Sequence, residues 1–173
     1  SISRNAASYP NELAVACGNA RLSWKEYYIR CVKLANALAE YGASPGDRIA
    51  LLSQNSMEYC EFYGACEIGG FIAVPLNFRL SSAETASALM LNDPTIFVYH
   101  SSFKDTVTDV LSIMPGEPTC IVIGESDGEK QSEILKYENV MELASGQAHF
   151  PTPHPDDIAY LMGTSGTTGR PKA

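Results

Sequence analysis

The chain has 173 residues, about the length of one ordinary domain. Hydrophobic residues make up 45% of it and charged residues 18%, a balance that favours a folded core over disorder. Its net charge of −8, from 12 basic and 20 acidic residues, argues against binding to nucleic acid, which would need a basic face. No apolar run approaches the ~20 residues that span a bilayer, and no signal-peptide pattern opens the chain, so a cytoplasmic protein without a membrane span is expected.

The cysteines and histidines indicate neither a disulfide framework nor a metal site. The number of cysteines is odd, and none forms a Cys-x-x-Cys pair; they are Cys17, Cys31, Cys60, Cys66 and Cys120. The three histidines are scattered along the chain. We therefore expect reduced thiols and no zinc site.

The first predicted elements are a hairpin, with its turn at Gly18-Asn19, and a long helix. Ser23 and Glu26 have the spacing of a capping box, which marks the start of a helix. Apolar side chains then recur every three or four residues up to Gly42, which stands where a C-cap glycine is typical.

Beyond this helix, short apolar strands alternate with helices. Strands are predicted at 48–52, 71–74, 95–99 and 119–123, with a helix that Asn55 opens toward Gly69, a helix capped by Ser81 and Glu84, and a helix at about 102–113. Short, continuous apolar strands indicate parallel strands that are buried on both faces. The predicted fold class is therefore α/β, with a mostly parallel sheet flanked by helices.

Past the fourth of these strands the alternation stops in an acidic stretch. Between Glu125 and Glu142 there are six acidic residues and two lysines, a net −4 of the total −8. We interpret residues at about 124–156 as a surface excursion, in which a solvated face is favoured over a docking surface. A short helix is expected at 139–144, and a last strand at 157–162.

The segment from Gly163 to Lys172 is the most informative of the chain. It contains three glycines, four hydroxyl side chains and two cations, Arg170 and Lys172, but no acid. Glycines let backbone N–H groups approach a ligand, hydroxyls donate to phosphate oxygens, and lysine adds a mobile positive charge. Open α/β sheets bind ligands where buried strands end, so the segment predicts a polyphosphate site.

Neither of the two common phosphate-loop motifs is present. A Walker A loop has four residues between its glycines and then Gly-Lys-Ser/Thr, whereas five residues separate Gly163 from Gly169, and Pro171 precedes Lys172. No Gly-x-Gly-x-x-Gly follows a predicted strand. By composition alone, the alternative is a flexible linker rich in glycine, serine and threonine.

Residues 164–172 read Thr-Ser-Gly-Thr-Thr-Gly-Arg-Pro-Lys, an order that resembles the signature loop of the adenylate-forming superfamily. This superfamily contains acyl-CoA synthetases, aryl-CoA ligases, luciferases and peptide-synthetase adenylation domains. Residues 22–27 are similar to an early motif of the family, with tyrosine where leucine is usual. Residues 64–80 are similar to its second motif, and the ending Pro-Leu-Asn-Phe-Arg-Leu looks like the CoA-ligase branch.

The resemblance implies a ligase that joins a carboxylic acid to ATP, releases pyrophosphate and transfers the acyl group from the adenylate to CoA. The implied ligands are ATP, Mg²⁺, CoA and the acid. By position, the residues that would bind the ATP phosphates are Thr164, Ser165, Gly166, Thr167, Thr168, Gly169 and Lys172. Thr164 would also lie near Mg²⁺. Arg79 would lie near the CoA phosphates, its alternative being an exposed arginine that caps or pairs locally. No residue of the chain is assigned a catalytic role.

The resemblance covers the whole chain but only about the first third of a typical family member. We therefore expect residues 1–173 to be the N-terminal part of the large, AMP-binding domain, with the C-terminal domain absent. This part is expected to be inactive alone, because the family's adenine-, ribose- and acyl-binding motifs and its catalytic lysine lie downstream. An open apolar sheet edge would favour a homo-oligomer.

Three alternatives remain open on these residues. The first is an adenylation domain that serves a carrier protein instead of CoA. The second is a non-catalytic module that binds nucleotide or a partner. The third is an unrelated phosphate-binding α/β protein.

Overall fold

The computed structural model describes residues 1–116, 118–125 and 135–163. Within these ranges the elements, in chain order, are α1 (Ile2–Ser8), β1 (Leu13–Cys17), β2 (Ala20–Ser23), α2 (Trp24–Glu40), β3 (Arg48–Leu52), α3 (Met57–Gly69), β4 (Ile72–Pro75), α4 (Ser82–Asn92), β5 (Ile96–His100), a 3₁₀ turn (Ser101–Phe103), α5 (Lys104–Ile113), β6 (Thr119–Ile123), β7 (Leu135–Lys136) and α6 (Tyr137–Leu143).

The main sheet has the strand order β4-β3-β5-β6-β7, and every neighbouring pair is parallel. β1 and β2 form a separate antiparallel hairpin, as predicted. Within β3, Ile49 pairs with Ala73 of β4 on one side and with Ile96 of β5 on the other. The chain therefore winds outward from β3 in both directions, and the predicted α/β class with a mostly parallel sheet is confirmed.

The strands are apolar throughout because helices cover both faces of the sheet. Ile49 and Leu51 of β3 belong to a core shared with α2, α3 and α6, whereas Ala50 and Leu52 belong to a second core under α4 and α5. Successive side chains of a strand point to opposite faces, and all four of these are at most 1% exposed. Burial on both faces explains why the sequence shows continuous apolar runs rather than alternation.

Capping boxes start α2 and α4, as predicted. Before α2, Ser23 Oγ accepts a hydrogen bond from Glu26 N–H at 3.3 Å, and the Glu26 carboxylate accepts one from Ser23 N–H at 2.8 Å. Ser81 and Glu84 repeat the arrangement before α4. These hydrogen bonds, chiefly the one from the serine backbone N–H, hold the pKa of both glutamates below its usual value.

Some boundaries differ from the prediction. The N-cap of α3 is Ser56 rather than Asn55, because Ser56 Oγ accepts from Tyr59 N–H at 3.2 Å. β7 has only two residues and α1 only seven, too few for periodicity to reveal either of them. α2 ends at Glu40 with Tyr41 as its C-cap, and Gly42 follows the cap with a φ of 102° that suits glycine.

The stretch interpreted as a surface excursion includes a helix that packs into the core. Tyr137, Val140, Met141 and Ala144, in and just after α6, are buried. Their spacing is that of one helix face, so the sequence does contain the periodicity of a buried helix. The many acidic residues around it favoured the interpretation as a solvated surface. α6 begins at Tyr137, two residues before the predicted start.

The strand predicted at 157–162 is wrong. Only Tyr160 forms a β-bridge, in parallel with Ala73 of β4. Ala73 N–H donates to Ala159 O at 3.0 Å, and Leu161 N–H donates to Ala73 O at 2.9 Å. In the described part of the chain no strand lies on the outer side of this segment, and the side chain of Tyr160 is 57% exposed. Within the described residues the segment forms only these two ladder hydrogen bonds with β4, so it makes an isolated bridge rather than a strand.

Candidate functional site at the carboxyl ends of the strands

The strand order predicts a crevice between the carboxyl ends of β3 and β5. After β3 the chain passes into α3 on one face of the sheet, and after β5 it passes into α5 on the other face. Open α/β sheets bind ligands where the connections diverge in this way. The loops that border the crevice are residues 53–56 after β3 and the 3₁₀ turn after β5.

The polar groups at the end of β5 lie against the end of β6. Ser102 N–H donates to His100 Nδ1 at 3.1 Å, so the proton of a neutral imidazole would sit on Nε2. Gly124, which follows β6, has a φ of 87°. A Cβ on Gly124 would lie 2.9 Å from Ser101 Oγ and 3.6 Å from His100 Nε2. Glycine is thus required here for the backbone to approach the hydroxyl and the imidazole.

Ser53, just after β3, is a buried polar residue at the same edge. Ser53 is only 3% exposed, and its Oγ donates to Gln54 O at 2.8 Å. The hydroxyl is therefore satisfied locally. It therefore presents no unpaired group to a ligand.

Arg79 lies at the carboxyl end of β4, on the same edge of the sheet. Its backbone N–H donates to Asn77 Oδ1 at 3.0 Å, which closes a tight turn after the strand. Its guanidinium lies 5.5 Å from the ring centroid of Phe78, and that ring lies 6.2 Å from the ring of Phe103 in the 3₁₀ turn. Arg79 is exposed, and among the residues that the structure describes no carboxylate forms a salt bridge with it.

The residues predicted to bind the ATP phosphates lie outside the described ranges; they are Thr164, Ser165, Gly166, Thr167, Thr168, Gly169 and Lys172. The segment that leads into them is described. Because Tyr160 is paired in parallel with β4, the chain runs toward Gly163 in the same direction as β4 runs toward Arg79. The described segment therefore reaches Gly163 at the edge of the sheet where the carboxyl ends of the strands lie.

His100, Ser101, Phe103 and Gly124 were not singled out from the sequence. Each stands directly after a predicted strand or within the turn that follows it, which is the only signal that the sequence offers. Which strand ends are neighbours depends on the strand order. That order is a property of tertiary packing, and local patterns do not reveal it.

Other reactive groups in the described ranges have structural roles. Burial raises the pKa of the Cys31 and Cys66 thiols, which makes both poor nucleophiles at neutral pH. Tyr27 is buried, and its hydroxyl donates to Cys60 O at 2.7 Å. No group of three potential metal ligands occurs among the residues described, and no helix in those ranges has the length and apolarity to cross a membrane.

The fold defines a class of protein: α/β domains with an open parallel sheet, in which ligands generally bind at the carboxyl ends of the strands. The chain belongs to the AMP-binding enzyme family, whose model matches residues 2–173.

Several relatives that the chain resembles carry the names of synthases or ligases. The chain is 33% identical over 169 residues to a feruloyl-CoA synthase of an Amycolatopsis species, covering 98% of this chain and 31% of that protein. It is 30% identical over 168 residues to the fatty acid–[acyl-carrier-protein] ligase ScoC of Streptomyces coeruleorubidus, covering 94% and 29%.

The fold is that of an anthranilate CoA ligase, AuaEII, solved with anthranoyl-AMP, with a TM-score of 0.91 at 24% identity, covering 99% of this chain and 32% of that one. At this identity the likeness shows the fold alone. The chain spans about a third of the length of these relatives.

Proposed function

We propose that the protein to which this chain belongs is an acyl-CoA ligase. A carboxylate oxygen of the acid attacks the α-phosphorus of ATP, and pyrophosphate leaves. The thiol sulfur of CoA then attacks the acyl carbon of the adenylate, AMP leaves, and the thiol proton passes to solvent. The observation that supports the proposal is the parallel pairing of Tyr160 with Ala73, which brings the chain just before the signature loop to the carboxyl-end edge of the sheet.

The loop residues are proposed to stabilise the phosphates. Hydroxyls of Thr164, Ser165, Thr167 and Thr168, with backbone N–H groups at Gly166 and Gly169, would donate to β- and γ-phosphate oxygens. Lys172 would neutralise negative charge that grows as pyrophosphate departs. Mg²⁺ is proposed as the counter-ion of ATP, near Thr164. No residue of this chain is proposed to act as acid, base or nucleophile.

Arg79 is proposed to bind the phosphates of CoA. Its guanidinium is exposed and lies over the Phe78 ring, which restricts its orientation. A delocalised cation held in this way suits a phosphate oxygen better than a freely rotating ammonium group would. The turn at Asn77 places it beside the end of β4, next to the crevice described above.

The finer identity of the protein is also proposed. The chain would supply the N-terminal part of the AMP-binding domain, and later sequence would supply the adenine and acyl sites, so the 173 residues alone would be inactive. The odd number of cysteines, none of them in a Cys-x-x-Cys pair, agrees with a reducing compartment, and the cytoplasm is the proposed location. The exposed outer side of residues 158–162 would be covered by later sequence or, in the chain alone, by self-association.

Exchange between ATP and pyrophosphate, measured with a panel of aliphatic and aromatic acids, tests the first half-reaction. We expect exchange by the complete protein that depends on one class of acid, and thioester formation when CoA is added. If a carrier protein is loaded and no CoA thioester forms, the acyl acceptor is a carrier protein rather than CoA. Binding of ATP without exchange would favour the non-catalytic module, and the absence of both would contradict the proposal.

A further inference from the structure

Residues 145–161, here called the strap, connect α6 to the bridge beside β4. Ala144 is buried in the core, but every strap residue except Phe150 and Leu161 is exposed. The strap therefore contributes little to either core. Its position depends on three attachments, at Asn36, Phe71 and Ala73.

Asn36 of α2 forms the first attachment. Its Nδ2 donates to Ser145 O at 2.7 Å and to Gln147 O at 2.9 Å, across more than a hundred residues of sequence. The residue is 9% exposed and stands between buried alanines in the middle of α2. Asparagine is a poorer helix former than alanine or leucine, so helix formation does not explain it. The two long-range hydrogen bonds do.

Phe150 forms the second attachment. Its ring packs edge-on against Phe71, with centroids 5.8 Å apart and an interplanar angle of 77°. Three prolines follow at 151, 153 and 155, and prolines favour an extended, semi-rigid backbone. A turn, in which His154 N–H donates to Asp157 Oδ2 at 2.6 Å, then redirects the chain toward β4. Because this stretch is semi-rigid, fixing Phe150 also restricts where the chain can meet β4 at the third attachment.

The third attachment consists of the two hydrogen bonds between Ala73 and the backbone of Ala159 and Leu161. Segments with exposed backbone and few apolar contacts open locally without global unfolding. Thr164 follows Leu161 by three residues, so the end of the strap is the origin of the glycine- and hydroxyl-rich loop.

We propose that the strap is a positioning device for this loop, and that Asn36 is the positioning residue that holds the strap to the helical layer. If the strap opens, its hydrogen bonds to Ala73 of β4 are lost, and the loop that follows is no longer attached to the sheet. The part of this inference that concerns ATP rests on the proposed function. The part that concerns attachment does not.

Hydrogen exchange in the complete protein tests the attachment, with the Ala73 and Leu161 amides as probes. Asn36→Leu removes both hydrogen bonds while keeping an apolar side chain of similar size. We expect exchange at the probes to accelerate about tenfold, the effect of losing two neutral hydrogen bonds of ordinary strength.

Asn92→Leu is the matched control. Asn92 is 8% exposed, and its Nδ2 donates to Ala88 O within α4, so the variant loses a buried amide hydrogen bond away from the strap. We expect no change at the probes beyond its effect on global unfolding in urea. Phe150→Ala provides a second variant if Asn36→Leu does not fold, and it should also accelerate exchange at Leu161.

The proposal is overturned if exchange at both probes is unchanged in Asn36→Leu and Phe150→Ala, or if Asn92→Leu has the same effect. Titration with ATP and Mg²⁺ then tests the link to the loop. Exchange at both probes, measured during this titration, should slow about tenfold when free ATP reaches about ten times its Kd, because a ligand that binds only the attached state suppresses opening. Exchange that ATP leaves unchanged would overturn the positioning role. A wild-type protein that does not bind ATP would overturn the proposed function, while the exchange result would still decide whether Asn36 attaches the strap.

Discussion

Tyr137 O–H donates a hydrogen bond of 2.6 Å to the Glu61 carboxylate across 76 residues of sequence, and neither residue is more than 1% exposed. Arg30 completes the network, with an ion pair to Glu61 and a second one to the exposed Glu138 at 3.1 Å. Burial, followed by the charge of Glu61, raises the pKa of Tyr137, so its hydroxyl stays a donor. The network joins α2, α3 and α6.

We predict that Glu61→Gln lowers the free energy of unfolding by about 2–3 kcal/mol, because it leaves Arg30 partly buried without its main counter-charge. Tyr137→Phe should cost about 1–2 kcal/mol, the loss of one hydrogen bond to a charged group. Glu138→Gln is the control. Glu138 pairs with the same arginine but is exposed, so its replacement should lower the free energy of unfolding by less than about 1 kcal/mol. Urea unfolding measures all three, and equal effects for Glu61 and Glu138 would contradict this ranking.

The capping boxes predict how stability depends on pH. Glu26 and Glu84 have a pKa below the usual value of 4.5, so each stabilises the folded state most fully above that value. Their contribution is lost as the pH falls through the lowered pKa of the folded state. Gln also fits the third helical position of a capping box. A Glu26→Gln, Glu84→Gln variant should therefore lose less stability than the wild type on acidification, measured by urea unfolding across this range; an unchanged slope would contradict the role of the two carboxylates.

Arg79→Ala tests the proposed CoA contact. We expect the KM for CoA to rise about tenfold, equivalent to about 1.4 kcal/mol, because a phosphate would lose its cation. The ATP–pyrophosphate exchange rate should not change, since that half-reaction precedes CoA binding. Arg21→Ala is the control, because Arg21 is an exposed arginine that donates to Gly18 O in the hairpin. An unchanged KM for CoA, or an equal loss in both half-reactions, would contradict the assignment.

The sequence predicted the parallel sheet because its strands are buried on both faces and read as apolar runs. It predicted α2 and α4 because their capping boxes are local interactions. It did not predict the burial of Tyr137, since nothing near that residue indicates that Glu61 and Arg30 lie beside it. The strand predicted at 157–162 failed for a related reason: its apolar residues suit a strand, but how far it pairs with β4 is set by tertiary packing, and it forms one bridge, at Tyr160.

Some residues of the candidate site could likewise be predicted from the sequence, and others could not. Residue order alone identified the loop at 164–172 and Arg79, since both lie in motifs that resemble a family. His100, Ser101 and Gly124 come together only through the order of β5 and β6 in the sheet. Motifs therefore indicated which ligand to expect, whereas the topology indicated where the surrounding polar groups lie.

The central claim, that the loop beginning at Thr164 binds the phosphates of ATP, is tested most directly by calorimetric titration of the complete protein with ATP and Mg²⁺. We predict saturable binding that Lys172→Ala weakens at least tenfold, with the exposed Lys25→Ala as a control that leaves the Kd unchanged. Equal affinity of the Lys172→Ala variant and the wild type would contradict the account.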